Sequence, residues 1–281
     1  MAVLAPAFKY PGAKWRIADR IVALLPKHVV YLEPFFGSGA VFFSKQPARL
    51  ETINDLDGDV VNFFRVLRER PDDLAWQVAA TPWARAEWET SYQATDDPLE
   101  RARRFIVRAH QSHGMRPRNR TGWRHATGIS ASAGGGIRNV ARQWANLPPL
   151  LLATAERLKD AQIEQRPALD VIARFAHAGC LIYADPPYPR STRSEWQYRH
   201  EITDADHVAL LDALDAHPGP VVLSGYRCDL YDARLMHWQR LDIPTTAEGG
   251  RARTESIWLN QRAARPTLFD LASVEEAAGD D

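Results

Sequence analysis

Asp185-Pro186-Pro187-Tyr188, within the stretch LIYADPPYPRSTR, sets a carboxylate, two prolines and an aromatic ring directly after an apolar, strand-like run. A turn needs only one proline and a small or polar residue. Two consecutive prolines fix two φ angles and remove two N–H donors, so the local carbonyls stay available as acceptors in a stiff turn. Asp185 adds a side-chain acceptor and Tyr188 a flat ring. Such a set suits a planar ring that bears an exocyclic amine, since the acceptors take the N–H hydrogens while the aromatic face stacks. Acceptors that draw the nitrogen toward tetrahedral geometry free its delocalised lone pair for attack. With ordinary residue frequencies this tetrapeptide arises by accident in about one chain of this length in a thousand. A rigid strand exit with an N-capping Asp is therefore the weaker explanation.

A second constellation is YLEPFFGSGA. Glu33, Pro34 and Phe35 lead from a β-branched run into Gly37-Ser38-Gly39 and then into an apolar helical pattern from Val41. Glycines let backbone N–H groups approach a ligand closely. The spacing matches neither the three-glycine dinucleotide pattern nor a phosphate loop, so taken alone it fits an ordinary strand-to-helix turn equally well. Asp55 points to a nucleoside-containing cofactor. It ends the strand-like ETIND 18 residues after Gly37, close to the roughly 20-residue interval at which an acid meets a ribose. Asp57 and Asp59 are alternatives, and any of the three could cap the following helix instead. Near the start, FKYPGAK places Tyr10, a turn and Lys14 before a helix; spacing alone favours a helix entry with a solvated lysine.

The elements that would position these residues alternate between strand-like and helix-like, the pattern of an α/β parallel sheet covered by helices. Helical spacing runs through AKWRIADRIVALLP and through GDVVNFFRVLRER, the latter closed by Pro71; strands read at VVYLEP, ETIND, CLIYAD, PVVLSGY, HWQRLDI and ESIWLN, with a helix at TDADHVALLDALDAH. From 85 to 165 the pattern changes to helices rich in Trp and Arg, interrupted by a long polar loop of the kind that is usually functional or disordered. The expected organisation is thus a cofactor part at 1–84, a mainly helical insertion at 85–165, a second catalytic part at 166–262 and a flexible tail at 263–281.

At 281 residues and 45% hydrophobic content the chain can bury a full core. No apolar run approaches the ~20 residues of a membrane helix, and the N-terminus lacks a signal-peptide design, so a cytoplasmic, membrane-free protein is expected. Cys180 and Cys228 form no metal or disulfide framework, and no metal is expected. The net charge of zero hides an asymmetry: residues 101–145 carry ten arginines and no acid or lysine, leaving minus ten for the rest. This points to a polyanionic partner. Arg116, Arg118, Arg120, Arg124 and Arg138, with Trp123 among them, are the expected contacts.

Several of these motifs together resemble the DNA adenine methylase (Dam) family of amino-group methyltransferases, in their alpha order. FKYPGAK is similar to the family's N-terminal cofactor motif, EPFFGSGA to its glycine motif, NDLDGDVVNFF to its acidic strand-end motif and DPPY to its catalytic motif. The likeness continues through PRSTRSEWQYRHEITDADH, VVLSGY and TESIWLN. The resemblance implies a Rossmann-like, seven-stranded methyltransferase sheet with an inserted, basic DNA-recognition domain. It implies that Tyr10, Lys14, the Glu33–Gly39 turn and Asp55 bind S-adenosylmethionine, and that Asp185 to Tyr188 hold the target amine beside the sulfonium. The substrate would be double-stranded DNA, bound by a monomer or a homodimer. Ala13 stands where the family commonly has a second glycine, which would strain the turn if that position required φ > 0. The same catalytic motif serves enzymes that methylate the cytosine amino group, and a catalytically silent DNA-binding module is the alternative from another class. Near the end, Leu268 and Phe269 loosely resemble peptides that dock on replication sliding clamps.

Overall fold

The computed structural model describes residues 4–113, 120–125, 140–192, 200–246 and 252–264. Arg116, Arg118 and Arg138, and the Leu268–Phe269 pair, lie outside the described residues.

Seven strands form one sheet: β1 (Val30–Glu33), β2 (Leu50–Asn54), β3 (Ala161–Glu164), β4 (Cys180–Ala184), β5 (Val221–Gly225), β6 (Gln239–Thr246) and β7 (Ala252–Leu259), in the order β3-β2-β1-β4-β5-β7-β6. The first five are parallel and β7 runs antiparallel between β5 and β6. Strands β4 and β5 are buried at every position, as strands covered on both faces must be. The chain steps outward from β1 to β2 on one side and later fills β4 and β5 on the other. The carboxyl ends of β1 and β4 therefore flank a switch point, where open α/β sheets leave a crevice.

The helices are α1 (Ala18–Val22), α2 (Ala40–Ser44), α3 (Gly58–Glu69), α4 (Pro71–Ala80), α5 (Arg85–Thr90), α6 (Pro98–Gln111), α7 (Val140–Ala145), α8 (Leu147–Leu158), α9 (Ala168–Arg174), α10 (Asp204–Asp215) and α11 (Asp229–Arg234). Alternation along the strands divides the core between the two faces. Tyr31, Tyr183, Val222 and Ile257 join α3, α4, α6 and α8 in one cluster. Leu32, Ile182, Leu223 and Trp258 join α9, α10 and α11 in the other.

The expected helical stretch at 85–165 ends in a strand: AQIE, residues 161–164, is β3, the edge of the sheet. Its α6 and α8 bury Phe105, Ile106, Leu151 and Leu158 in the same cluster as Phe63 and Phe64 of α3. Pro71 does not simply close α3 but sits at the start of α4, the helical position whose missing N–H would lack a partner anyway. Among the described residues, no helix is long and apolar enough to cross a membrane.

Candidate functional site

The N-terminal turn is built by Tyr10-Pro11-Gly12-Ala13, with the Ala13 N–H donating to the Tyr10 carbonyl at 3.1 Å. Gly12 occupies the third position at φ +77°, where a type II turn demands a positive φ. The conformational requirement thus falls on the glycine that is present, and Ala13 follows it at the fourth position. The turn delivers Lys14 into the interior, 4% exposed. Its Nζ donates to Asp185 Oδ1 at 2.6 Å and Oδ2 at 2.8 Å, to the Tyr188 hydroxyl at 2.6 Å and to the Gly12 carbonyl at 2.8 Å. Burial works against this charge, but Asp185 and Glu255 outweigh it and hold the ammonium well above the ordinary lysine range. Lys14 is therefore no solvated lysine.

Asp185 follows β4 at the switch point. Ser224, near the end of β5, donates to its Oδ1 at 2.9 Å, and the Tyr183 hydroxyl lies 3.0 Å from Ser224 Oγ. Burial pushes the Asp185 carboxyl up, opposed by the Lys14 ammonium and the Ser224 hydroxyl. Among the described residues nothing donates to the Pro186 carbonyl. The Tyr188 hydroxyl donates to Glu255 at 3.2–3.3 Å. Its ring stacks on Tyr226, centroids 4.2 Å apart at 27°, and is 5% exposed. Tyr188 thus does not present an open face, and it is absent from the residues lining the cleft described next.

That cleft, about 370 Å³, is bounded by the glycine turn, by Tyr10, Lys14, Asp55 and Asp185, and on the far side by His200 to Ile202. Glu33, Pro34, Phe35, Gly37, Ser38 and Gly39 all line it. Gly37 sits at φ +51° with the Tyr10 ring 3.0 Å from where a Cβ would stand, so a side chain there would meet both strain and the ring. Asp55 accepts from the Gly37 N–H at 2.7 Å and the Asp57 N–H at 2.8 Å, and burial lifts its carboxyl to about 6 despite those bonds. Asp57, not Asp55, caps α3. Asn54, which the sequence did not single out, bonds the Pro34 carbonyl and both the N–H and carbonyl of Arg166, joining the loops after β1 and β3. Glu33 accepts from the Tyr31 hydroxyl at 2.7 Å; burial lifts its carboxyl to about 8, and the nearby Asp185 charge adds to the rise.

The arginines divide into two groups. Arg101 and Arg108 pair with Asp59, Arg103 with Glu87 and Glu100, and Arg104 with Glu100. These four are paired with three acids of α3, α5 and α6, so they correct the picture of ten arginines all awaiting a polyanion. The sequence count missed this because the partners precede residue 101. Arg120 is exposed and lies over Trp88 and Tyr92, centroids 5.6 and 5.5 Å away. Trp123 stacks on His125, and Arg124 donates to Gln143 Oε1 at 3.2 Å.

The site thus combines a carboxylate at the switch point with a glycine turn and an acid-ended second strand. The family described as D12 class N6 adenine-specific DNA methyltransferase matches residues 10–238. This chain belongs to that family. DNA adenine methylases of Salmonella typhi and Escherichia coli K12 are each 24% identical over 263 residues, 86% of this chain and 89% of theirs. The type II methyltransferase M1.LlaDCHI of Lactococcus lactis subsp. cremoris is 35% identical over 72 residues, a quarter of each chain. As a D12-class enzyme the chain is an adenine-specific DNA methyltransferase, acting at the N6 amine, and the seven-stranded sheet expected from the resemblance is present.

For a D12-class site, sequence reasoning overlooked Glu255, Ser224 and Tyr226. Glu33 and Asp185 carry the recognisable signal of an acid at the C-terminal end of a parallel strand. Glu255 lies near the start of β7. Because β7 is antiparallel, with Gly225 opposite Ser256, its first half lies along the edge where β4 and β5 end.

Proposed function

We propose that the cleft binds S-adenosylmethionine and that Asp185 and the Pro186 carbonyl hold the N6 amine of an adenine turned out of duplex DNA. The observation that supports this best is that the DPPY carboxylate, the glycine turn and Asp55 line one cleft at the switch point. Two carboxyl groups, Asp185 at 2.6 Å and Glu255 at 3.5 Å, share the single ammonium of Lys14, a surplus of acid that favours a cationic ligand. Asp55 uses one lone pair on each oxygen for backbone N–H groups and retains capacity for ribose hydroxyls. When bound, S-adenosylmethionine supplies a methyl group on a sulfonium that a neutral amine can attack.

The protein's contribution is then positional. Asp185 and Pro186 orient the amine and favour its tetrahedral form, and the surplus proton leaves after transfer. The adenine stacks on Tyr188 once the ring pair of Tyr188 and Tyr226 opens. Base flipping costs a few kcal/mol, which phosphate and base contacts must offset. Arg120, Trp123 and Arg124, with Arg116, Arg118 and Arg138, are proposed to supply them from the 85–165 segment, which serves as the target-recognition part. Asp185→Ala should lose methyl transfer to adenine while still binding S-adenosylmethionine in a calorimetric titration. Retained turnover in that variant would overturn the assignment.

A further inference from the structure

Lys14 creates a difficulty for the site it completes. Its ammonium donates to both oxygens of Asp185, and Ser224 takes a further lone pair. An acceptor neutralised by a contacting cation is a poor partner for a neutral amine, because hydrogen bonds to a carboxylate draw their strength from its charge. A lysine ammonium also repels a cationic methyl donor, and the dry interior magnifies the repulsion. The ammonium must leave Asp185, and in the buried pocket it needs another anion to go to.

Glu255 stands ready for that. It is 2% exposed, with its Oε1 3.5 Å from Lys14 Nζ, and it accepts from the Tyr188 hydroxyl, which itself contacts Lys14. Lys14 thus sits between two carboxylates on a common hinge of Tyr188, in short contact with one at 2.6 Å and in a longer ion pair with the other at 3.5 Å. We propose that Glu255 is a positioning residue that takes the Lys14 ammonium from Asp185 when the target amine arrives, so that Asp185 meets the amine as a free carboxylate. This rests on Asp185 being the amine acceptor.

The transfer requires Glu255 to be ionised. Lys14, Asp185 and Tyr188 face it from the N-terminal turn and the β4 exit, and Ile243 is its uncharged partner on β6. Burial lifts its carboxyl, Lys14 draws it down and Asp185 raises it again, leaving it at about 7. Below that pH a neutral Glu255 leaves Lys14 on Asp185.

The test is the pH profile of single-turnover methyl transfer to duplex DNA for the wild type, Glu255→Gln and Glu255→Asp, with melting temperatures checking the fold. Glutamine keeps an acceptor for Tyr188 but offers no charge. Glu255→Gln should lower the rate roughly ten- to a hundredfold at pH 8.5, with KM for cofactor and DNA nearly unchanged. The gap to wild type should close toward pH 6, and Glu255→Asp should restore part of the acid limb. A wild-type rate and profile in Glu255→Gln, or a loss equal at every pH, would overturn the proposal. Activity surviving in Asp185→Ala would instead overturn the reading beneath it.

Discussion

The backbone N–H of Gly37 donates to Asp55 Oδ2 at 2.7 Å, so the acid that ends β2 holds the turn that follows β1. The other oxygen of Asp55 accepts from Asp57, which makes the carboxylate a clamp on two loops of the cleft. Asparagine offers only one acceptor oxygen, and its NH2 would face a backbone donor. Asp55→Asn should therefore weaken S-adenosylmethionine binding by about 1–3 kcal/mol, read by calorimetry. Unchanged affinity would show that the turn holds its shape without the clamp.

Glu33 gives the cofactor-free protein a pH dependence of defined sign. Burial lifts its carboxyl from the usual range to about 8, so the folded state binds this proton more tightly than the unfolded chain. Its contribution to stability is complete below pH ~4.5 and is lost as pH rises through about 8. Glu33→Gln, which can still accept from Tyr31, should melt at the same temperature as wild type or lower at pH 5 and above it at pH 9. Parallel curves for the two proteins across that range would refute the assignment.

What could be read from the sequence follows from how local each signal is. β4 and the DPPY turn were legible because a continuous apolar run and two prolines act within a dozen residues. β3 was not: AQIE has a single large apolar side chain and lies at the edge, so it owes its strand conformation to pairing with β2 across more than a hundred residues. Lys14 was legible as a motif residue through the family resemblance, but its partners Asp185 and Glu255 are set by the sheet order. The arginine count failed in the opposite way, since charge along a chain says nothing about acids that other helices bring into reach.

Gly12 and Ala13 separate two causes of the same motif. Gly12 holds φ +77° in the turn, so Gly12→Ala should cost about 1–2 kcal/mol and disturb the delivery of Lys14, lowering both melting temperature and turnover. Ala13→Gly restores the glycine pair common in the family, and should change stability by less than about 1 kcal/mol without raising activity. A large gain of activity in Ala13→Gly would mean that the second glycine serves the ligand and not the turn.

Glu51 is the anion of a buried triad. It accepts from Lys45 at 2.5 Å, from Arg157 at 2.6 and 3.0 Å and from the Ala48 N–H at 3.0 Å, while Arg157 also donates to the Phe42 carbonyl. β2, α8 and α2 are thereby tied together behind the glycine turn. Glu51→Ala would leave two buried cations unpaired and should destabilise the fold by about 3–5 kcal/mol, measured by urea denaturation. Replacing all three with apolar residues of matching volume should recover most of that loss, because the pairing offsets a desolvation cost that the apolar set never incurs.

The two groups of arginines make opposite predictions. Arg103 contacts Glu87, Glu100 and the Thr81 hydroxyl and is only 11% exposed, so Arg103→Ala should lower stability by about 1–3 kcal/mol and leave the salt dependence of DNA binding as it was. Arg120 makes no acid contact among the described residues and rests on two aromatic faces, a geometry that holds a guanidinium outward at small entropic cost. Arg120→Ala should leave the melting temperature within about 2 °C while weakening DNA binding. If Arg120 meets a phosphate, the slope of log K against log salt should fall by about one and all sequences should weaken alike. If it reads a guanine edge, the slope should hold and discrimination at one base pair should relax by about 1–3 kcal/mol. Equal DNA affinity in wild type and Arg120→Ala at every salt concentration would remove Arg120 from the interface.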